Sequence, residues 1–192
     1  MPQALPSTVA TARLRLTAAT VALARAELSD RSEFARLLQA AVPASWPPES
    51  LADALPFLLA QLEAAPDRAG WFGWYAVTLA EPSVLVASAG FFGPPSSGAV
   101  EIGYSVLPQF QRNGYATEMV AALVRLALAQ PGVSRVLAHT EWANPASVRV
   151  LTKAGFHPAG DPNSADDPND ANSANGARFE CPGPREQSSA PG

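Results

Sequence analysis

The first clear pattern in the chain is Ala12-Arg13-Leu14-Arg15-Leu16-Thr17, where apolar and charged positions alternate. A period of two predicts a half-buried strand. The alanine-rich stretch Ala18 to Leu28 loses that alternation and is expected to be helical. Asp30 or Ser32 can cap a second helix, since an oxygen acceptor there precedes the helical spacing Phe34, Leu37, Leu38. Pro43 to Pro48 breaks it, and Ser50 or Glu49 begins a third helical stretch with Leu51, Leu55, Leu58, Leu59 and Leu62, in which Pro56 is a kink or an early-turn residue. Trp74 to Leu79 and Val84 to Phe92 are rich in aromatic and β-branched residues around the turn Glu81-Pro82-Ser83, as in an antiparallel pair. In a third such strand, Ala99 to Leu107, the side chains of Val100, Ile102, Tyr104 and Val106 fall on one face and those of Glu101, Gly103, Ser105 and Leu107 on the other.

Gly114 to Gln130 carries the clearest helical spacing: Ala116, Met119, Val120, Leu123, Val124 and Ala127. Pro131-Gly132 ends it, and Ser134 to Thr140 is again strand-like, so the segment predicts a βαβ unit with parallel strands. Asn144 caps a helix that starts at Pro145 and stops at Gly155. Short strands are expected from Phe156 to Pro158 and from Ala177 to Cys181. Antiparallel strands ahead of a parallel unit make a mixed α/β fold. The expected organisation is a lead over residues 1–11, one domain over 12–181 and a tail over 182–192. Residues 160–176, with four Asp and four Asn and no basic residue, read as a flexible exposed loop. They lack the spacing of a calcium loop.

Composition narrows the choice of partner. The chain has 192 residues with 17 acidic and 13 basic side chains, a formal charge of -4. That balance lacks the basic face a nucleic-acid binder needs to displace phosphate counterions. Cys181 is the one cysteine, so no internal disulfide can form and a reducing compartment is expected. Neither a basic-then-apolar leader nor an apolar run near the roughly 20 residues of a membrane span is visible. A cytoplasmic protein without a membrane partner is therefore expected. His139 and His157 have no Cys or carboxylate at ligand spacing, so no metal is expected and both are read as structural.

The turn that joins the third strand to the strongest helix, Leu107 to Thr117, contains Gln111-Arg112-Asn113-Gly114-Tyr115-Ala116. A helix N-terminus offers amides with no intrahelical acceptor and the positive end of a dipole, which suits a phosphate or pyrophosphate. Gly114 permits a close approach of the backbone and Arg112 adds charge. Neither a nucleoside-triphosphate loop nor a dinucleotide fingerprint is present.

Three blocks then carry a family resemblance: Glu101 to Pro108, Gln111 to Glu118, and Asn144 to Phe156. In this order and spacing the chain resembles the GCN5-related N-acetyltransferase (GNAT) superfamily, and within it the ribosomal-protein-N-acetyltransferase-like branch. Arg13 to Leu16 is similar to the family's first strand. The resemblance implies a GNAT-like, mostly antiparallel sheet splayed at a central parallel pair, and an enzyme that moves acetyl from acetyl-CoA, its co-substrate, to a primary amine. A protein N-terminus and a small-molecule amine are both open as acceptors, and a homodimer is expected by analogy alone. It also implies roles. Backbone groups of Tyr104, Ser105 and Val106 would pair with the pantetheine arm, and an amide of Ser105 or Val106 would meet the acetyl oxygen. Gln111, Arg112, Asn113, Gly114, Tyr115, Ala116 and Thr117 would hold the pyrophosphate, and Asn144 and Ser147 would flank the arm. Glu101 would be the general base, with Glu141 as runner-up. The tyrosine that many members use as general acid is here Leu151, which leaves Ser147 or water for that step, or a thiolate that departs unprotonated, and Ala143 replaces a glutamate frequent in the branch. With that acid missing, a catalytically silent acyl-CoA-binding or regulatory protein of the same fold is the alternative. Val42 to Trp74 corresponds to the variable acceptor region, where Trp46, Trp71, Phe72 and Trp74 either line the acceptor or pack.

Overall fold

The computed structural model describes residues 4–159 and 176–183. The expected Asp/Asn-rich loop, save its last residue, and nearly all of the tail lie outside the described residues.

Among the described residues eight strands form one sheet in the order β1-β2-β3-β4-β5-β6-β8-β7. They are β1 (Thr8–Ala10), β2 (Leu14–Ala18), β3 (Gly73–Thr78), β4 (Leu85–Phe91), β5 (Ala99–Val106), β6 (Arg135–Glu141), β7 (His157–Pro158) and β8 (Gly176–Pro182). Each neighbouring pair of these strands is antiparallel except β5 with β6, which run parallel. The βαβ expectation is met there by α5 (Tyr115–Leu128), which connects the two. β1 is an addition, since the short strand falls inside the expected lead and its three residues pair with β2. Too short to show a period, it is recruited by the exposed edge of its neighbour.

Helices α1 (Val21–Ser29), α2 (Arg31–Leu38), α3 (Glu49–Ala52) and α4 (Leu55–Ala64) precede β3, and α6 (Pro145–Lys153) follows β6. Of the two candidate caps, Asp30 is the one used: its side chain accepts from the Ser32 and Glu33 N–H groups. Asn144 likewise accepts from the Ser147 N–H at the head of α6. The third helical stretch divides into α3 and α4, with Pro56 in the first turn of α4, where its missing N–H costs nothing.

Two apolar clusters lie on opposite faces of the sheet. One joins Leu14, Leu16, Trp74, Ala87, Ala89, Val100 and Ile102 to Met119, Val120 and Leu123 of α5 and to Leu151 of α6. The other joins Tyr75, Val77, Leu85 and Leu107 to Leu23, Phe34, Leu38 and Leu62 of α1, α2 and α4. The period of two in β5 thus sends alternate residues to different helical layers. Leu151 is fully buried, so the position of the family's acid serves packing here. No helix among the described residues is long and apolar enough to cross a membrane.

Candidate active site

The site grows from a defect in the sheet. β5 pairs with β6 only at Ala99↔Arg135, Val100↔Val136 and Glu101↔Leu137. Beyond Glu101 the strands part: β5 stays paired with β4 through Ile102 to Val106, while β6 stays paired with β8 through Glu141. The backbone hydrogen bonds show which groups face the opening. Phe92 N–H donates to the Glu101 carbonyl and Leu107 N–H to the Val86 carbonyl, so odd-numbered residues of β5 turn their backbone groups to β4. By the same alternation Tyr104 and Val106 turn theirs into the gap, and Ser105, opposite Ser88, turns its amide to β4. Of the two amides expected near the acetyl oxygen, Val106 is the one aimed at the opening. The Gln111 side chain donates to the Val106 carbonyl (3.1 Å) and ties the following loop to the end of this edge.

That loop ends in a helix N-terminus with an open first turn. Gly114 is the N-cap residue of α5 at φ 79°, and no side chain caps the helix. Arg112 also lies in the left-handed region at φ 64°. A non-glycine residue there stores roughly 1 kcal/mol or more of strain, which surrounding contacts must sustain. The Asn113 side chain donates to the Phe110 and Gln111 carbonyls (3.1 and 3.2 Å) and folds the loop on itself. Among the described residues the Arg112, Asn113 and Gly114 N–H groups have no acceptor. With the first-turn amides of Tyr115, Ala116 and Thr117 they form a concave row of donors at the positive end of a 14-residue helix.

Two residues that sequence reasoning left without a role hold this row in place. Arg13, immediately before β2, donates from Nη1 to the Asn113 carbonyl (2.8 Å) and pairs with Glu118 (2.7 Å). Its guanidinium lies 4.9 Å from the Tyr115 ring centroid. Glu118 also accepts from the Thr11 hydroxyl and the Arg13 N–H, both at 2.7 Å. Burial pushes the Glu118 carboxyl up, but the hydrogen bonds from Thr11 and Arg13 and the guanidinium charge outweigh it and hold it below its ordinary value. The available signal was the pairing of an N-terminal arginine with a first-turn glutamate, but only tertiary structure brings two residues so far apart in the chain together.

On one face of the gap the Tyr104 hydroxyl lies 2.7 Å from the Ser147 Oγ. Burial raises the Tyr104 phenol above its ordinary value, with the Ser147 hydrogen bond acting weakly the other way. On the other face Glu101 reaches across to β6, its Oε1 2.9 Å from His139 Nδ1. The Glu101 side chain remains 37% exposed, accessible to water. His139, structural by its sequence spacing, is thus the partner of the candidate base, a contact between neighbouring strands that spacing along the chain does not reveal. Glu141 lies two residues further along β6 and lines a shallow opening with Asn144 and Arg178. No group of three or more His, Cys, Asp or Glu among the described residues could hold a metal ion.

A cavity of about 330 Å³ adjoins the gap between α3, α4 and the sheet. Phe72 and Trp74 line it, whereas Trp46 and Trp71 are buried elsewhere, Trp46 beside Tyr75 and Trp71 beside Phe91.

A sheet parted at one parallel pair, with an open helix N-terminus beside the parting, is what the resemblance implied for an acyl-CoA-using transferase. The acetyltransferase (GNAT) domain family matches residues 13–157. The chain belongs to this family and is an N-acetyltransferase; the family uses acyl-CoA. The chain is 29% identical over 147 residues to the uncharacterized N-acetyltransferase YjdG of Bacillus subtilis, covering 76% of this chain and 87% of that one. Among solved structures it is similar to a GNAT-family acetyltransferase from Bacillus anthracis, at 17% identity and a TM-score of 0.59, covering 91% and 98% of the two chains. It is also similar to RimL, a ribosomal L7/L12 α-N-protein acetyltransferase in complex with coenzyme A, at 17% identity and a TM-score of 0.59, covering 93% and 97%. At these identities the structures bear on the fold alone.

Proposed function

We propose that the protein transfers acetyl from acetyl-CoA to a primary amine by direct attack in a ternary complex, at the point where β5 leaves β6. The observation that carries this is the coincidence of two unsatisfied donor sets: the gap-facing edge of β5 and the open first turn of α5. Both call for a ligand that is strand-like along one part and anionic at one end. A pantetheine arm joined to a pyrophosphate has that form. The RimL structure with coenzyme A supports the choice of ligand class. A formal charge of -4 does not oppose it, because the helix terminus and Arg112 concentrate positive potential locally.

In this reading Tyr104 and Val106 pair with the arm through their backbones, and the Val106 N–H meets the acetyl oxygen as negative charge develops there. The Ser105 side chain instead shares the Glu101 face and borders the acceptor cavity, while its amide belongs to β4. Amides from Arg112 to Thr117 hold the pyrophosphate. Gln111 and Asn113 shape that loop, and Asn144 fixes the start of α6, so these three side chains position the others. The amine nitrogen bonds to the acetyl carbon and the carbon–sulfur bond breaks. Glu101 takes the amine proton through water, with His139 orienting its carboxylate. The departing sulfur takes a proton from Ser147 as Ser147 takes one from the Tyr104 hydroxyl, and solvent water returns a proton to the Tyr104 oxygen. This hydroxyl pair fills the role that Leu151 vacates.

The test is release of free CoA thiol over a panel of amines and N-terminal peptides, comparing the native chain with Glu101→Gln. Release that falls at least a hundredfold with unchanged acetyl-CoA affinity is expected. Tight acetyl-CoA binding with no release on any amine would favour the silent binder instead.

A further inference from the structure

The cavity beside the gap is floored by a row of three glycines and a neighbouring row of hydroxyl-bearing residues on the sheet. Gly73, Gly90 and Gly103 lie directly opposite one another across β3, β4 and β5, and two residues further along Tyr75, Ser88 and Ser105 do the same. All six line the cavity. A side chain in the first row would meet Leu58 (3.1 Å from an added Cβ at Gly73), the Phe72 carbonyl at Gly90, or the Phe92 ring (3.2 Å at Gly103). The floor is thus backbone and hydroxyl, and the roof is Leu51, Leu55 and Leu58. Phe57 and Phe92 also line it, and they are 66% and 74% exposed. Two solvent-facing phenylalanines at one opening form an apolar lip.

Among the described residues no charged side chain lines this space. The half-buried carboxylate of Glu27 behind Tyr75 is already engaged: it accepts from the Tyr75 hydroxyl (2.5 Å) and from Trp46 Nε1 (2.7 Å). It therefore braces the Tyr75 wall from behind. Glu101 lies on the same sheet face as Gly103 and Ser105, two residues before Gly103 on β5, at the edge of the cavity rather than inside it.

We infer that the acceptor is a primary amine carrying a single apolar group, aromatic or branched aliphatic, which occupies this cavity while its nitrogen reaches the gap beside Ser105. The inference rests on the acetyl-transfer reading above and names the substrate class. A volume of about 330 Å³ is at the small end of ligand sites, which span roughly 300–1,000 Å³, and suits one such group rather than a run of residues. A second ammonium would lack a counter-charge, since no described residue of the lining carries a carboxylate to pair with it. The apolar surroundings also favour the neutral form of the reacting amine, which is the nucleophile. The same chemistry can come from a free arylalkylamine or from an aromatic N-terminal residue of a peptide.

The experiment measures kcat/KM by CoA thiol release with phenethylamine, isoamylamine, putrescine, spermidine and a tripeptide with N-terminal phenylalanine. Phenethylamine or the tripeptide is expected to exceed both polyamines by about 10- to 100-fold, and the better of the two identifies the source. Phe57→Ala, at an exposed position where folding is not at risk, raises KM for the aromatic amine several-fold and leaves KM for acetyl-CoA in place. Gln61→Glu, which puts a carboxylate into the lining, shifts preference toward putrescine by about tenfold or more. Faster turnover of spermidine or putrescine than of both phenethylamine and the tripeptide by the native chain overturns the inference while leaving acetyl transfer intact. So does a switch of donor preference to hexanoyl-CoA over acetyl-CoA, which would assign the cavity to the acyl chain. Absence of release with every amine instead removes the transfer reading beneath it.

Discussion

The two faces of β5 were built by opposite means. Toward α5 and α6 lie polar devices that can be named one by one: a strained loop, an open helix N-terminus, the Arg13–Glu118 brace and the Tyr104–Ser147 pair. Toward α4 the site is made by omission, with three glycines in register and an apolar roof. The donor side thus binds by satisfying groups the fold leaves unsatisfied, which fixes one ligand shape. The acceptor side selects by volume and by the lack of charge, which a few substitutions in α3 and α4 can change without touching the chemistry. One strand serves both because its period of two keeps them apart.

The largest effect that sharpens this division is expected at Glu101, which belongs to the chemistry and not to either binding surface. Glu101→Gln should lower kcat by about 10²- to 10⁴-fold while KM for acetyl-CoA and for the amine stay close to native. A parallel rise in either KM would place Glu101 in binding.

Next in size is the brace behind the donor loop. Glu118→Gln removes charge-assisted hydrogen bonds worth roughly 1.5–3 kcal/mol, and thermal unfolding should register the loss. The sign of its pH dependence follows from the lowered carboxyl. The folded state binds the proton less readily than the unfolded chain, so this contribution is complete above the ordinary carboxylate value of 4.5 and is lost as pH falls through the lowered folded value. Glu27 has the opposite sign: burial raises it, against the hydrogen bonds from Tyr75 and Trp46, so its contribution falls as pH rises from 4.5 through the raised folded value. Unfolding curves from pH 3 to 7 should flatten at the acid end for Glu118→Gln.

Gly114→Ala is expected to cost about 1–2 kcal/mol, because the cap sits at φ 79° and a Cβ there would lie 3.3 Å from Arg13 Nη2. Calorimetry should show acetyl-CoA binding weakened about tenfold, with the preference among amines unchanged. The smallest effect is assigned to Tyr104→Phe. Ser147 keeps its hydroxyl, so kcat should fall only about two- to tenfold, with the loss narrowing at the alkaline end of the rate profile, where the native phenol ionises as well.

The difference between the faces also explains what the sequence disclosed. β2, β5 and α5 were legible because each buries one face and so shows a clean period, and the loop from Gln111 to Gly114 was legible because helix starts have a local chemistry. The splay was visible only through resemblance, since nothing local to Ile102 or Ala138 records that two strands part there. Arg13 with Glu118 and Glu101 with His139 are contacts between distant segments, invisible to spacing. The glycine row escaped notice for the same reason. Gly73, Gly90 and Gly103 lie on three strands, and each alone reads as an ordinary interruption. Strand register alone turns them into a floor.

The central claim, that the parted edge of β5 and the head of α5 receive a single acyl-CoA, is tested most directly by amide hydrogen exchange read residue by residue with and without acetyl-CoA. The account expects protection to rise at Tyr104, at Val106 and from Arg112 to Thr117, with the Ser105 amide, already turned to β4, little changed. Binding of acetyl-CoA that leaves the Val106 and Arg112 to Thr117 amides exchanging as before would contradict it.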